Sequence, residues 1–323
     1  MAAQPSHASL PAMEQRHLGR SGLRVSRVGL GTLTWGRDTD EHEAADQLQA
    51  FVDAGGTLVD TAAGYGDGAA EELLGSLLGH VVDRADVVLA TKAGLWPGSS
   101  RVDASARSLL RSLEESLTRL RTDHVDLWLV HAWDPDVPLE ETLTALRTAV
   151  TSGRARYVGV SNYTGWQLAR AATLCAAQGV PVVAEQVEYS LLERSAEVEV
   201  LPAADHVGAG VLAWAPLGRG VLTGKYRGGT PADSRAASPH LAGYVEPYLD
   251  AASRRVVEAV ATAADGLGCA PLEVALAWAR DATGIASAVV GARTAAQLRG
   301  SLAADDLTLP AEIRQALDDV SGA

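Results

Sequence analysis

Short apolar runs rich in valine and leucine recur along this chain, and seven of them end on a residue able to do chemistry or to stack on a ligand. They read Thr57-Leu-Val-Asp60, Val87-Val-Leu-Ala-Thr-Lys92, Val125-Asp-Leu-Trp-Leu-Val-His131, Tyr157-Val-Gly-Val-Ser-Asn162, Val182-Val-Ala-Glu-Gln186, Gly210-Val-Leu-Ala-Trp214 and Ala288-Val-Val-Gly291. Such runs, separated by helical patterns, are the signature of parallel strands covered on both faces. Their polar ends then converge on one face, and in a (β/α)8 barrel that face is where active sites assemble. The expected fold is α/β, a (β/α)8 TIM barrel, and the expected role is that of an enzyme.

Composition narrows the role further. A formal charge of -13 would repel nucleic acid and anionic membranes alike, so neither is an expected partner. Residues 1–14 lack both the basic and the apolar stretches of a secretion signal and read as a mobile tail. No run approaches the roughly 18 consecutive apolar residues of a membrane helix, so a cytoplasmic protein is expected. Cys175 and Cys269 show no metal-ligand or disulfide spacing and read as free thiols; no metal site is expected. Of 27 basic residues only Lys92 and Lys225 are lysine, one ending a strand and the other a glycine-rich loop. Lysine offers a compact ammonium that arginine does not.

Residues 15–323 are expected to form one barrel. The turn Gly19-Arg-Ser-Gly22 marks a hairpin over Arg16 to Ser26 that caps the N-terminal end. Eight strands are expected, at 28–31, 57–60, 87–92, 125–130, 156–161, 182–186, 210–215 and 287–290. Nine helices are expected, at about 39–53, 69–79, 103–120, 138–152, 164–178, 196–206, 251–265, 271–281 and 294–303, one of them extra to the barrel repeat. A long break over 218–247 holds six glycines and three prolines. Loops of that length in compact domains are usually functional or mobile.

Asp60, Lys92 and His131 end adjacent strands, and Tyr65 follows Asp60 in Gly64-Tyr-Gly66. A phenol is a poor acid at neutral pH, but a neighbouring ammonium stabilises the phenolate and lowers its pKa. Asp60 could hold Lys92 charged, and His131 could orient a substrate oxygen. The set suits proton transfer to or from a carbonyl oxygen.

Asp60-Thr-Ala-Ala-Gly-Tyr-Gly66, Ala90-Thr-Lys92, Leu129-Val-His131, Gly159-Val-Ser-Asn162 and Trp214-Ala-Pro-Leu-Gly-Arg-Gly220 together resemble the aldo-keto reductases, in order and in spacing, over nearly the whole chain. The resemblance implies NADPH-dependent, reversible reduction of an aldehyde or ketone. Tyr65 is then the general acid, assisted by Lys92 and Asp60, while His131 positions the carbonyl. It also implies a carboxamide clamp of Ser161, Asn162 and Gln186, with Trp214 stacked on the nicotinamide. Gly31, Thr32, Ala215, Pro216 and Leu217 join the cofactor site, and Gly218, Gly220 and Lys225 fold over the pyrophosphate. Gly291, Arg293, Gln297 and Ser301 fall where the family holds the adenosine 2′-phosphate. Arg293 and Arg299 favour NADPH (NADP+), with use of NADH as the second possibility. Gly29-Leu-Gly31 and Gly218-Arg-Gly220 lack the third glycine of a Rossmann fingerprint.

Trp35, Trp96 and Trp133 lie in loops on the catalytic face; Trp35 and Trp133 are the candidates to line a pocket for a small-molecule carbonyl substrate. Tyr244 and Tyr248 are candidates to close over it. The sequence carries no signal of oligomeric state. Two other readings compete: a Schiff-base aldolase or lyase using Lys92 as nucleophile, and a cofactor-sensing regulatory subunit resembling potassium-channel β subunits.

Overall fold

The structure is a computed structural model that describes residues 13–95, 101–232, 234–238 and 240–322. Trp96 and most of the expected N-terminal tail lie outside the described residues. The chain opens with a hairpin of β1 (Gln15–His17) and β2 (Arg24–Ser26), paired antiparallel with Arg16 opposite Val25. Eight parallel strands follow: β3 (Val28–Gly31), β4 (Leu58–Asp60), β5 (Val88–Ala93), β6 (Val125–Val130), β7 (Ala155–Ser161), β8 (Val182–Glu188), β9 (Gly210–Trp214) and β10 (Ile285–Gly291). They pair in sequence order, and β10 returns to β3 with Ala288 opposite Val28, which closes the barrel.

Helices α1 (Glu41–Asp53), α2 (Ala69–Leu77), α3 (Ala106–Arg119), α4 (Leu139–Thr151), α5 (Gly165–Ala177) and α6 (Val200–Val207) each follow a barrel strand. Then come α7 (Ala242–Val245), α8 (Ala251–Leu267), α9 (Pro271–Arg280), α10 (Ala295–Leu302) and α11 (Ala311–Ser321). Asp40, Ser105, Asp250 and Thr294 cap their helices by accepting a backbone N–H with the side chain, which fixes where these helices start.

Side-chain alternation along the strands builds two cores. One set, including Leu58, Ala90, Leu127, Leu129, Ala184 and Leu212, fills the barrel interior, and the other packs between barrel and helices. Leu18 and Val25 of the hairpin are buried within the interior set, so the hairpin plugs the barrel's N-terminal end. Its turn needs glycine. Gly19 has φ +59, and a Cβ there would lie 2.3 Å from the carbonyl oxygen of Gly208. Met13 is buried in the outer core, so the chain is anchored already at a residue the expected tail included.

The described residues contain eleven α-helices where nine were expected. The short α7 lies inside the 218–247 break. The other addition, α11, buries only Leu317, and polar bonds attach it: Trp278 Nε1 donates to Asp318 (2.9 Å) and Arg314 donates to the Trp278 carbonyl (3.2 Å). Among the described residues no single helix is long and apolar enough to cross a membrane; α8 and α9 reach that length and composition only together, with a 103° bend between them.

Candidate active site

The C-terminal ends of the strands surround a cavity of about 480 Å³, within the range of small-molecule and cofactor sites. Asp60 ends β4 and Lys92 stands one residue before the end of β5, so both face the same opening. Lys92 is 1% exposed and uses all three of its ammonium donors. They go to Asp60 Oδ2 (2.6 Å), the Thr61 carbonyl (2.9 Å) and the Tyr65 hydroxyl (3.2 Å). The second Asp60 oxygen accepts from Gln186 Nε2 at 2.8 Å. Because Tyr65 accepts from Lys92, its own hydroxyl proton remains available to a cavity occupant.

These contacts set the charges. Burial pulls the Lys92 ammonium down, but the Asp60 carboxylate and the Tyr65 oxygen outweigh it and leave its pKa raised. Burial is also the largest influence on Tyr65 and raises its pKa, with Lys92 pulling the other way. The balance is opposite to the sequence expectation, because desolvating a phenolate costs more here than the ammonium returns. Tyr65 therefore holds its proton at neutral pH. His131, directly after β6, lies edge-on to Tyr65 with ring centroids 6.0 Å apart. Burial, reinforced by the positive charge of Lys92, pushes its pKa down to about 3, so the imidazole is neutral. Its Nδ1 is buried with no hydrogen-bond partner among the described residues.

The other half of the cavity is made by β7 to β10. Ser161 donates to the Gln186 carbonyl (2.8 Å). Asn162 adopts the left-handed conformation with φ 59; its Nδ2 donates to the His131 carbonyl (2.9 Å) and to Ser161 Oγ (3.0 Å), and its Oδ1 accepts from Trp214 Nε1 (3.0 Å). Ala215, Pro216, Leu217, Gly220 and Lys225 line the cavity after β9, and Gly31, Gly291, Arg293, Gln297 and Ser301 line it where β10 meets β3. Gln297 accepts the Arg293 N–H through Oε1 at 3.0 Å.

Lys92 stands behind the lining and acts through Tyr65, and five other expected site residues do not line the cavity: Arg299, which is exposed on α10, and Trp35, Trp133, Thr32 and Gly218. Trp35 is fully buried in the outer core, where its indole N–H donates to Gln47 of α1 (3.1 Å). Trp133 packs edge-on against Tyr163 and Trp166, with ring centroids 5.2 and 5.4 Å away. Thr32 lies behind Asp60, donating both its N–H and its hydroxyl to the Asp60 carbonyl. Gly218 abuts Leu192, which would lie 2.8 Å from a Cβ there.

Sequence reasoning missed two arginines that do line it, Arg219 and Arg235. Arg219 grips Glu188 at the end of β8 with two bonds (2.8 and 2.6 Å), donates to the Tyr244 carbonyl (2.7 Å) and lies over the Tyr244 ring at 4.2 Å. Tyr248 donates to the same carboxylate at 3.1 Å. Segment 218–248 is thereby strapped across the mouth. Arg235 donates to the Gly291 carbonyl (3.2 Å), and burial, joined by the like charge of Arg293, lowers its pKa. The signal for both was basic residues in an otherwise glycine- and proline-rich break.

The profile of the Aldo/keto reductase family matches residues 27–321. The chain belongs to that family. It is an oxidoreductase fold for carbonyl chemistry with a nicotinamide cofactor, and relatives extend along nearly its full length. An "Uncharacterized oxidoreductase YrpG" of Bacillus subtilis (strain 168) is 38% identical over 321 residues, covering 95% of this chain and 96% of that protein. A "Probable voltage-gated potassium channel subunit beta" of Oryza sativa subsp. japonica is 36% identical over 303 residues, covering 91% and 92%. Its counterpart of the same name in Arabidopsis thaliana is 33% identical over 309 residues, covering 91% and 92%.

Proposed function

We propose that this reductase uses NADPH to reduce an aldehyde or ketone reversibly to the alcohol, with Tyr65 as proton donor. The observation that carries the reading is the saturated Lys92 ammonium: it binds Asp60 and the Tyr65 oxygen at once, leaving one phenolic proton for a carbonyl oxygen. Neutral His131 beside Tyr65 orients that oxygen, and as the oxygen gains charge the Tyr65 proton moves onto it. Lys92 then stabilises the phenolate left behind. When bound, the nicotinamide supplies the hydride.

The cofactor assignment rests on residues that fit it. Trp214 offers a planar face at the cavity wall, fixed by its bond to Asn162. Arg235 and Arg293 both line the cavity, and two guanidiniums there suit an adenosine 2′-phosphate. The Schiff-base reading is disfavoured because a nucleophilic amine must be neutral, whereas Asp60 and Tyr65 keep Lys92 charged. The names of the rice and Arabidopsis relatives favour a second reading for this chain, a cofactor-sensing regulatory subunit resembling channel β subunits.

Titration with NADPH and separately with NADH, followed by tryptophan fluorescence and then by a panel of aldehydes and ketones, tests the proposal. Saturable quenching, tighter for NADPH, with oxidation of NADPH by at least one carbonyl class is expected. Equal affinity for NADH contradicts the phosphate assignment, and tight binding without turnover of any carbonyl favours the subunit reading.

A further inference from the structure

Along β8 the side chains alternate: Gln186 lines the cavity, and its neighbour Glu185 points the opposite way, into the layer between barrel and helices. Glu185 is fully buried there. One carboxyl oxygen, Oε1, accepts the backbone N–H of Tyr163 at 3.1 Å, and the other, Oε2, has no partner among the described residues. Burial raises its pKa well above the ordinary carboxylate value, which favours the neutral acid. An apolar side chain of similar size would fill this space at lower cost, since a buried polar atom without a partner is unfavourable. What it could not do is accept the Tyr163 N–H.

That N–H lies at a sensitive place. Asn162, one residue before it, is a non-glycine residue in the left-handed region, a conformation that persists only where its surroundings over-determine it. Two consecutive residues of β8 hold this turn: the Gln186 carbonyl accepts the Asn162 N–H (2.9 Å), and the Glu185 carboxyl accepts the next N–H along. The turn in turn fixes the Asn162 carboxamide, which spans the His131 carbonyl, Ser161 Oγ and the Trp214 indole. We infer that Glu185 is a positioning residue for the nicotinamide end of the cofactor, acting through the left-handed turn at Asn162 without touching the cofactor itself. The inference rests on the reading above that Ser161, Asn162 and Gln186 hold the cofactor's carboxamide.

The test uses the full-length chain and two probes, NADPH and adenosine 2′,5′-bisphosphate, which shares the phosphate-bearing end and lacks the nicotinamide. Glu185→Leu leaves the Tyr163 N–H unpaired and is expected to weaken NADPH about tenfold, the scale of one lost buried hydrogen bond, with the bisphosphate unchanged. Glu185→Gln keeps an acceptor oxygen and is expected to bind both probes as the wild type does. Should the leucine variant fail to fold, Glu185→Ser, whose smaller side chain admits water, is expected to show the same selective loss in weaker form. Equal weakening of both probes, or no change in NADPH, overturns the inference. Asn162→Ala separates it from the reading beneath it. If that variant shows no selective loss, the clamp reading fails; if it does and the Glu185 variants do not, the inference alone fails.

Discussion

The two sides of the cavity are built by different means. Asp60, Lys92 and His131 sit on or directly beyond strands of a closed sheet, and every donor of the central ammonium is used inside the protein. The opposite side depends on segment 218–248, made of short turns and the small α7, and tied across the mouth by Arg219, Glu188 and two tyrosines. Proton transfer needs groups fixed to a fraction of an ångström, which a barrel wall supplies. Cofactor exchange needs a part that can let go, and ion pairs at the rim come apart at less cost than a strand.

The contrast can be broken from either side. The largest effect is expected from Lys92→Met, which leaves the nearly buried Asp60 carboxylate without its cation. Loss of one partner of a buried ion pair costs about 3–5 kcal/mol. Denaturant unfolding is expected to reveal a loss of that order, accompanied by near-complete loss of turnover. Full stability with activity retained would mean that the wall does not depend on this pair.

A smaller and different effect is expected from Arg219→Ala. The Arg219 and Glu188 side chains are 17% and 12% exposed, against 0% and 4% for Lys92 and Asp60, so a smaller stability loss than for Lys92→Met is expected, while cofactor release in stopped-flow quickens by about tenfold, equivalent to some 1.4 kcal/mol. Unchanged release would show that the strap does not hold the cofactor. Stability loss as large as that of Lys92→Met would erase the distinction between wall and strap.

The same contrast explains what could be read in advance. Runs such as Val125 to Val130 are too apolar and too short for anything but a buried strand, and a polar residue at the end of such a run has few places to point. Thus Asp60, Lys92 and His131 were visible as a group, and Tyr65 followed from its spacing to Asp60. The strap has no period. Nothing in its composition distinguishes Arg219 and Arg235, which line the cavity, from Arg227, which pairs with Glu258 at the surface. Aromatic residues in loops misled for a related reason. A loop tryptophan can turn inward as readily as toward a ligand, and Trp35 does so because Gln47 provides an acceptor for its indole N–H. The direction of the Tyr65 shift was hidden as well, since it depends on how thoroughly the phenol is buried, which strand order does not reveal.

The most direct measurement is the turnover of Tyr65→Phe alongside its affinity for NADPH. The substitution removes one hydroxyl and leaves the ring in place, so the account predicts a fall in kcat of roughly 10²–10⁴-fold, the usual contribution of a general acid, with NADPH affinity within about twofold of wild type. Turnover at the wild-type rate with cofactor still bound would contradict it, and would move the proton donor away from Tyr65.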